Sequence, residues 1–351
     1  MRGRSKNVVR VKVWHAVLGL LLVQGTACRD SFDGAPLDGI DVQSGTGTCP
    51  VPGPLPFETP TASFQSSDAV DWSVDNPHVT HGGQDLLGTG EQQVVGAMTR
   101  SAGTLISQRG VVDEWVSFWR RDVSGGWAQL GRVKTDGLGG FSLTLGSDQQ
   151  FAVGTGSLFS VLEGDGTCAV HGAFVWPAGT KVIVTDIDGT LTLDDNELLK
   201  QVMGEPLYEP KANRSSSEML NAWAEKGYRV VYLSARPHNL RGMSRVWLHG
   251  IGAPFGPMRT ADTFVYGESA RAYKAQFLER VKSELGWEIV AVYGNADSDI
   301  LAYEDAGIPK GVTFIVGELA GQNGTVAIGN NDYTDHVAAY VGVQPDAQQP
   351  F

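Results

Sequence analysis

Lys181-Val182-Ile183-Val184-Thr185-Asp186-Ile187-Asp188-Gly189-Thr190 is a nearly continuous apolar strand that runs straight into two acids and a turn. A strand buried on both faces loses the in-and-out alternation of a half-exposed one, so this run marks a parallel sheet covered by helices. Downstream, strand and helix signals alternate. Met219, Leu220, Trp223 and Ala224 form a helical stripe that stops at Gly227, and Arg229 to Leu233 is the next strand. Met243, Val246 and Trp247 mark a helix ended by Gly250, and Tyr273, Phe277, Leu278 and Val281 one ended by Leu285-Gly286. Trp287 to Tyr293 and Val312 to Val316 bring the strands to at least four. The pattern predicts a doubly wound α/β domain over residues 179–342, with 343–351 as a tail.

In open α/β sheets the reactive groups sit beyond the carboxyl ends of the strands. Read in order, those ends carry Asp186-Ile187-Asp188-Gly189-Thr190, then Ser234, then Gly294-Asn295 with Asp297 and Asp299; Lys274 arrives from a helix. Asp186 and Asp188 can both face one cleft, which is repulsive without a cation. Mg2+, a hard ion with oxygen ligands, would relieve that repulsion and screen an incoming phosphate. A DxDGT run alone is also compatible with a calcium-binding turn.

This ordered set resembles the haloacid-dehalogenase (HAD) superfamily. The resemblance implies that Asp186 is the nucleophile, forming an aspartyl-phosphate, and that Asp188 protonates the leaving oxygen and then activates water. It implies that Ser234 and Lys274 bind the transferring phosphoryl group, helped by backbone N–H groups around Gly189 and Thr190. The Ser234-Ala235-Arg236 segment extends that phosphate cradle. Arg236 is read either as a lipid-phosphate ligand or as the partner of a surface acid. The metal candidates are Asp186, Asp188, Asn295, Asp297 and Asp299. Asn295 stands where the superfamily commonly has Asp, and keeps a carbonyl oxygen with one less charge.

Together with Tyr232-Leu233-Ser234-Ala235-Arg236, Trp247-Leu248, Pro254-Phe255-Gly256-Pro257 and Gly294-Asn295…Asp299…Tyr303…Gly307-Ile308-Pro309, the motif is similar to the lipin/Ned/Smp (LNS2) catalytic domain over about residues 176–340. That resemblance implies a Mg2+-dependent phosphatidate phosphatase. A branch with lipid-transfer proteins that has typically lost the nucleophile offers the alternative, a phosphatidic-acid binder without turnover. Phosphatase action on another exported phosphomonoester is a third reading. Asp188 to Ser234 spans 46 residues and Ser234 to Lys274 spans 40, each largely consumed by helix and strand, so no lid domain is expected. A cleft without a lid suits a phosphate on a membrane surface.

Ahead of this domain, residues 75–178 read as short strands with turn signals every ten or so residues, the pattern of an immunoglobulin-like β-sandwich. Trp115, Trp119, Trp127 and Trp176 are expected in its core rather than on an aromatic binding face. Residues 28–74, rich in Asp, Gly, Pro, Ser and Thr, read as a flexible tether.

Residues 1–27 carry Arg2, Arg4, Lys6, Arg10 and Lys12, then an apolar run from Val13 to Val23 and the small residues Gly25-Thr26-Ala27 before Cys28. This order is that of an export signal, and it resembles a bacterial lipoprotein lipobox, implying a chain anchored in the cell envelope through lipid on Cys28. The alternative is an ordinary cleaved signal with an incidental Cys. Three Cys exclude a disulfide-framework mini-protein; Cys49 and Cys168 are left either as a disulfide or as two free thiols. The whole chain has 27 Lys+Arg against 39 Asp+Glu, a net charge of −12, which argues against nucleic acid as a partner. Loss of the five basic residues of the signal would take it to −17, so a phospholipid surface would be held by the anchor rather than by charge. Protein partners are not indicated.

Overall fold

Short apolar runs broken by glycine turns fold into two packed sheets in the first half of the chain. Their strands are β1 (Val79–Gly83), β2 (Leu86–Leu87), β3 (Gln93–Ser101), β4 (Gln108–Gly110), β5 (Trp115–Arg121), β6 (Trp127–Lys134), β7 (Gly140–Thr144), β8 (Gly154–Leu162) and β9 (Cys168–Val175). One sheet joins β1, β4 and β7 to β3; the other runs β2-β9-β8-β5-β6. All pairings are antiparallel except the short parallel one between β2 and β9. Val94, Met98 and Phe141 of the first sheet pack on Val116, Phe118, Leu158 and Ala173 of the second, giving a two-layer core. This computed structural model describes residues 64–65, 79–88, 90–101, 108–121, 127–164, 166–203 and 208–351. Residues 1–27, read as an export signal, Cys28, Cys49 and nearly all of residues 28–74, read as a tether, lie outside the described residues. Cys168, at the start of β9, is disulfide-bonded.

The tryptophans divide. Trp176 is 2% exposed and packs on Phe174 and on Trp287. Trp115, Trp119 and Trp127, expected in the core, are half-buried instead. With Val116 and Phe118 facing inward, the two-residue period of a strand sends Trp115 and Trp119 to the opposite face. There the guanidinium of Arg132 covers the Trp115 ring at 3.9 Å, and Trp127 meets Phe159 edge-on.

The second half holds a six-stranded sheet built from β10 (Lys181–Thr185), β11 (Arg229–Pro237), β12 (Met258–Ala261), β13 (Glu288–Gly294), β14 (Thr313–Val316) and β15 (Val326–Ile328), in the order β12-β11-β10-β13-β14-β15. Every pairing is parallel. Its main helices are α1 (Asn196–Met203), α2 (Ser216–Glu225), α3 (Arg241–Gly250), α4 (Gly267–Ser283) and α5 (Asp297–Asp305). Alternate strand residues feed opposite layers. Ile183, Val230, Tyr232, Ala291 and Phe314 face Trp223 of α2 and Trp247 of α3. Val182, Val184, Val231, Val292 and Ile315 face Phe277 and Leu278 of α4 and Ile300 of α5. That second layer also takes in Leu87, Phe174 and Trp176, so the two halves share a core. The strand order reverses at β10, and the crevice where ligands enter such sheets opens at its carboxyl end.

Polar contacts seal the junction between the halves. β12 is an edge strand, and the Gln84 side chain pairs with both the C=O (2.7 Å) and the N–H (3.3 Å) of Thr260. Asp85, buried, accepts from the N–H of Met258 and of Gly172 at 2.7 Å each and is ion-paired to Arg241 and Arg245 of α3. His238 reaches the Asp262 carbonyl at 2.9 Å and the Thr99 hydroxyl at 3.3 Å. Residues 343–351, set apart in the sequence as a tail, are tied back: Gln349 bonds the carbonyls of Lys181 and Gly227, and Arg229 stacks on Phe351.

His171 makes this junction acid-sensitive. Its Nδ1 must donate to the Gln84 carbonyl at 2.9 Å, because a carbonyl only accepts, and its Nε2 accepts from the Ser160 hydroxyl at 2.8 Å. Burial, with the nearby Arg241 charge, disfavours the charged ring and pushes its pKa down to about 4, so at neutral pH the ring is uncharged and Nε2 is the acceptor. Because the folded value lies below the unfolded one, this contribution is complete above about pH 6.5 and falls away as pH drops toward 4. The loss is about 3 kcal/mol for that shift. Urea midpoints at pH 7.5 and pH 5 should show the decline, and His171→Gln should flatten it; an unchanged slope would remove His171 as its cause.

Candidate active site

The site is assembled where β10 and β13 end side by side. Asp186 follows β10, and its N–H pairs with the Tyr293 carbonyl at 3.0 Å, carrying the strand pairing to the brink of the crevice. Its carboxylate is buried, 4% exposed. Lys274, projected from the middle of α4 and equally buried, bridges Asp186 Oδ1 at 2.9 Å and Asp299 Oδ1 at 2.5 Å. One ammonium between two carboxylates leaves an excess of negative charge. Burial first, then the neighbouring Asp299 and Asp188 charges, raise the Asp186 pKa to about 7, against the pull of Lys274. Burial would lower the pKa of Lys274, but the Asp186 and Asp299 charges outweigh it and hold it above the ordinary lysine value.

Asp188 sits in a different setting. Both its oxygens take a bidentate fork from Arg236, Nε at 2.8 Å and an Nη at 2.7 Å. The third guanidinium nitrogen bonds the Ser244 hydroxyl of α3 at 2.8 Å. Arg236 therefore pairs with a site carboxylate inside the fold, and neither with a surface acid nor with open solvent. Ser234 is fully buried on β11, and its Oγ accepts the Arg236 N–H at 3.1 Å, leaving its own O–H to donate. Ala235, between them, is half-buried.

Gly189 turns the chain at φ +66°, and a Cβ there would come within 2.0 Å of Asn295 Nδ2 and 2.5 Å of Asp195 Oδ1. Only a glycine lets the turn close on those groups. Its N–H bonds Thr192 Oγ1 at 2.9 Å. Thr190 donates its hydroxyl to Asn295 Oδ1 at 3.2 Å. Asn213 clamps the turn from below through the carbonyls of Thr190 (2.8 Å) and Thr192 (2.9 Å).

The acidic loop after β13 separates its members. Asp299 is buried with both oxygens committed, Oδ1 to Lys274 and Oδ2 to the N–H groups of Asn295 (3.0 Å) and Ala296 (3.1 Å). Gly294 makes room for it, since a Cβ there would lie 2.6 Å from that of Asp299. Asp297 is exposed in the first turn of α5, and among the described residues no contact brings it to Asp186. Among the described residues no three His, Cys, Asp or Glu side chains converge to hold an ion by themselves. Asp195 joins the site instead: it accepts from Asn295 Nδ2 at 3.1 Å. The Asp194-Asp195-Asn196-Glu197 run, most simply a solvated acidic loop in the sequence, is thus split. Glu197 is buried and anchors the loop through Tyr208, Lys211 and Lys200. Of these contacts only the Glu197–Lys200 pair, three residues apart, is local; Asn213 and the Tyr208 and Lys211 bonds of Glu197 join residues too far along the chain for the sequence to signal.

Residues 183–317 match the family model described as "PITM 1-3, LNS2 domain". Membrane-associated phosphatidylinositol transfer protein 1 of Rattus norvegicus is 28% identical over 195 residues, covering 56% of this chain and 15% of that protein. Protein retinal degeneration B of Drosophila melanogaster is 26% identical over 223 residues, 63% of this chain and 17% of that protein. The matched stretch is thus a small part of these relatives. A crystal structure of phosphoserine phosphatase in apo form aligns with a TM-score of 0.33 at 14% identity, covering 46% of this chain and 98% of that one. Residues 183–317 of the α/β half are thus similar to an LNS2 domain, a domain of HAD-like fold.

Proposed function

We propose that the α/β half is a Mg2+-dependent phosphatase that uses Asp186 to hydrolyse phosphatidic acid to diacylglycerol and phosphate. The observation that carries this reading is the placement of Asp186: a buried carboxylate at the switch point of the sheet, 2.9 Å from Lys274, with a second, differently held carboxylate two residues on.

The donor set fits the metal. It is all oxygen, and the surplus of carboxylate over ammonium that raises the Asp186 pKa is what a hard cation relieves. Mg2+ usually takes only one or two protein carboxylates and keeps several waters. Asp186, the Asp188 main-chain carbonyl and Asn295 Oδ1 would hold it; Asp299 is committed elsewhere. Bound there, it would supply Lewis-acid neutralisation of the phosphoryl oxygens.

The chain's own residues do the rest. Asp186 attacks phosphorus, forming its acyl-phosphate bond as the glycerol oxygen leaves with a proton from Asp188. Asp188 then takes a proton from the water that cleaves the aspartyl-phosphate, restoring Asp186 and releasing phosphate. Lys274 and the Ser234 hydroxyl stabilise the charge on the transferring group. Arg236 aims Asp188.

A lipid substrate is favoured by the names of the relatives and by three exposed apolar side chains, Leu193, Phe264 and Tyr266. They lie on the loops after β10 and β12, the sheet edge that also carries Asp186. Among the described residues no helix is long and apolar enough to cross a membrane. We place approach to a bilayer on these loops and on a lipid carried by Cys28. Mass analysis of the mature N-terminus should find that lipid and lose it in Cys28→Ala; an unmodified wild-type mass would sink the anchor. For residues 75–178, the immunoglobulin-like reading is supported by two packed sheets and by β2 pairing parallel to β9.

The second reading, a phosphatidic-acid binder without turnover, is favoured by relatives named as transfer proteins and by the full engagement of Asp188 by Arg236. Phosphate release from phosphatidic acid in mixed micelles with Mg2+ separates the two. Binding without release assigns the binder, and release from soluble esters alone reassigns the substrate.

A further inference from the structure

We infer that Asp195 is a positioning residue that fixes the side-chain amide of Asn295, so that its oxygen and not its nitrogen faces the acidic crevice. The inference deepens the phosphatase reading, on which its metal-binding arm rests. An amide presents an acceptor on one side and a donor on the other in nearly the same shape, and only its neighbours decide which way it lies. An ionised carboxylate accepts and cannot donate, so Asp195 Oδ1, 3.1 Å from Asn295 Nδ2, admits only the NH2 end. The Thr190 hydroxyl donates to the opposite end, Oδ1, at 3.2 Å. Both contacts close over Gly189, where a Cβ would intrude on Asn295 and on Asp195 alike.

The consequence is chemical. A flipped amide would turn its N–H groups to the Thr190 side, where Oδ1 now lies, and N–H groups cannot ligate a hard cation. Asp195 also restores locally the negative charge that a carboxamide at position 295 lacks. It does so from the accessible mouth of the site rather than from its buried floor, where Lys274 already bridges Asp186 and Asp299.

Two measurements test this on the full chain. In the metal-free protein, the Asn295 side-chain NH2 resonances should be distinct from those of exposed amides in wild type and should move to the exposed position in Asp195→Ala; unmoved signals overturn the inference. Mg2+ titrated by calorimetry should bind about tenfold more weakly to Asp195→Ala, the low end of what losing a metal ligand's own partner costs. The exchanged variant Asp195→Asn/Asn295→Asp keeps one acid, one amide and the bond between them, and should bind Mg2+ within a few-fold of wild type. Binding by the exchanged variant as weak as by Asp195→Ala would overturn the pairing. Should wild type bind no Mg2+, the metal reading fails, while the resonance shift still decides the role of Asp195.

Discussion

Asp186→Asn is expected to fold normally and to lose phosphate release by a factor on the order of 10^4 or more, the scale on which removal of a nucleophile acts. The carboxamide has nearly the same volume and keeps an oxygen for Lys274, so packing at the end of β10 is retained. Its oxygen is no longer a nucleophile able to form the acyl-phosphate, and no neighbour replaces it: Asp299 has both oxygens committed and Asp188 is forked by Arg236. The substitution also removes one of the carboxylates crowded around a single ammonium, so stability should stay within about 1 kcal/mol of wild type, since the gain from reduced repulsion opposes the lost ion pair. Parallel measurements of phosphate release and of the thermal midpoint check both halves. Turnover surviving at more than a few per cent would move the nucleophile elsewhere.

Asp85→Ala should be the most destabilising single change in the junction, by about 3–5 kcal/mol, because it strands buried charge rather than exchanging a pair for apolar groups. Arg241, 8% exposed at its side chain, would keep only the Val170 carbonyl at 2.9 Å, and the N–H groups of Met258 and Gly172 would lose their acceptor. Burial opposes the Asp85 charge, but Arg241, Arg245 and those two N–H groups overcome it and hold the carboxyl below its ordinary pKa. Its stabilisation is therefore present above about pH 4 and is lost as pH falls through that depressed value. The effect should reach the site. Helix α3 carries both arginines and also Ser244, the partner of Arg236, so a shift of the helix re-aims Asp188. A misplacement of about 1 Å costs on the order of 10^2-fold in rate, and the loss should fall on kcat more than on KM. Urea denaturation together with steady-state kinetics at 15 °C, below the weakened transition, reads both. A stable variant with full kcat would show that the junction and the site are independent.

Much of the α/β half is legible from residue order alone. The apolar run Lys181–Thr185 can be nothing but a doubly covered strand, and the strand–helix alternation behind it leaves one carboxyl edge on which Asp186, Asp188, Ser234 and Asn295 must gather. That Lys274 belongs there follows from the same ordered motifs, and the structure puts it on Asp186. Spacing does not say which oxygen each group faces. Arg236 lies 48 residues from Asp188, and Asp195 lies 100 from Asn295. Their pairing depends on how tightly the Gly189 turn folds under the loop from β13. Asp297 and Asp299 are equally acidic in the sequence and share the first turn of α5, yet two positions apart on a helix they face different ways, one exposed and the other buried.

In the first half, the short strands were readable, but the faces of Trp115 and Trp119 were not. Their burial depends on which parity of β5 the opposing sheet covers. The docking of Asp85 on α3 leaves no mark in composition or period, since it joins residues 156 apart through one carboxylate. Local pattern dictates which backbone segments form and which edge they share, because periodicity and turn chemistry act over a few residues. The partner of each charged side chain is set by packing between distant segments, because burial allows a charge only where a counter-charge or donor arrives from elsewhere in the fold.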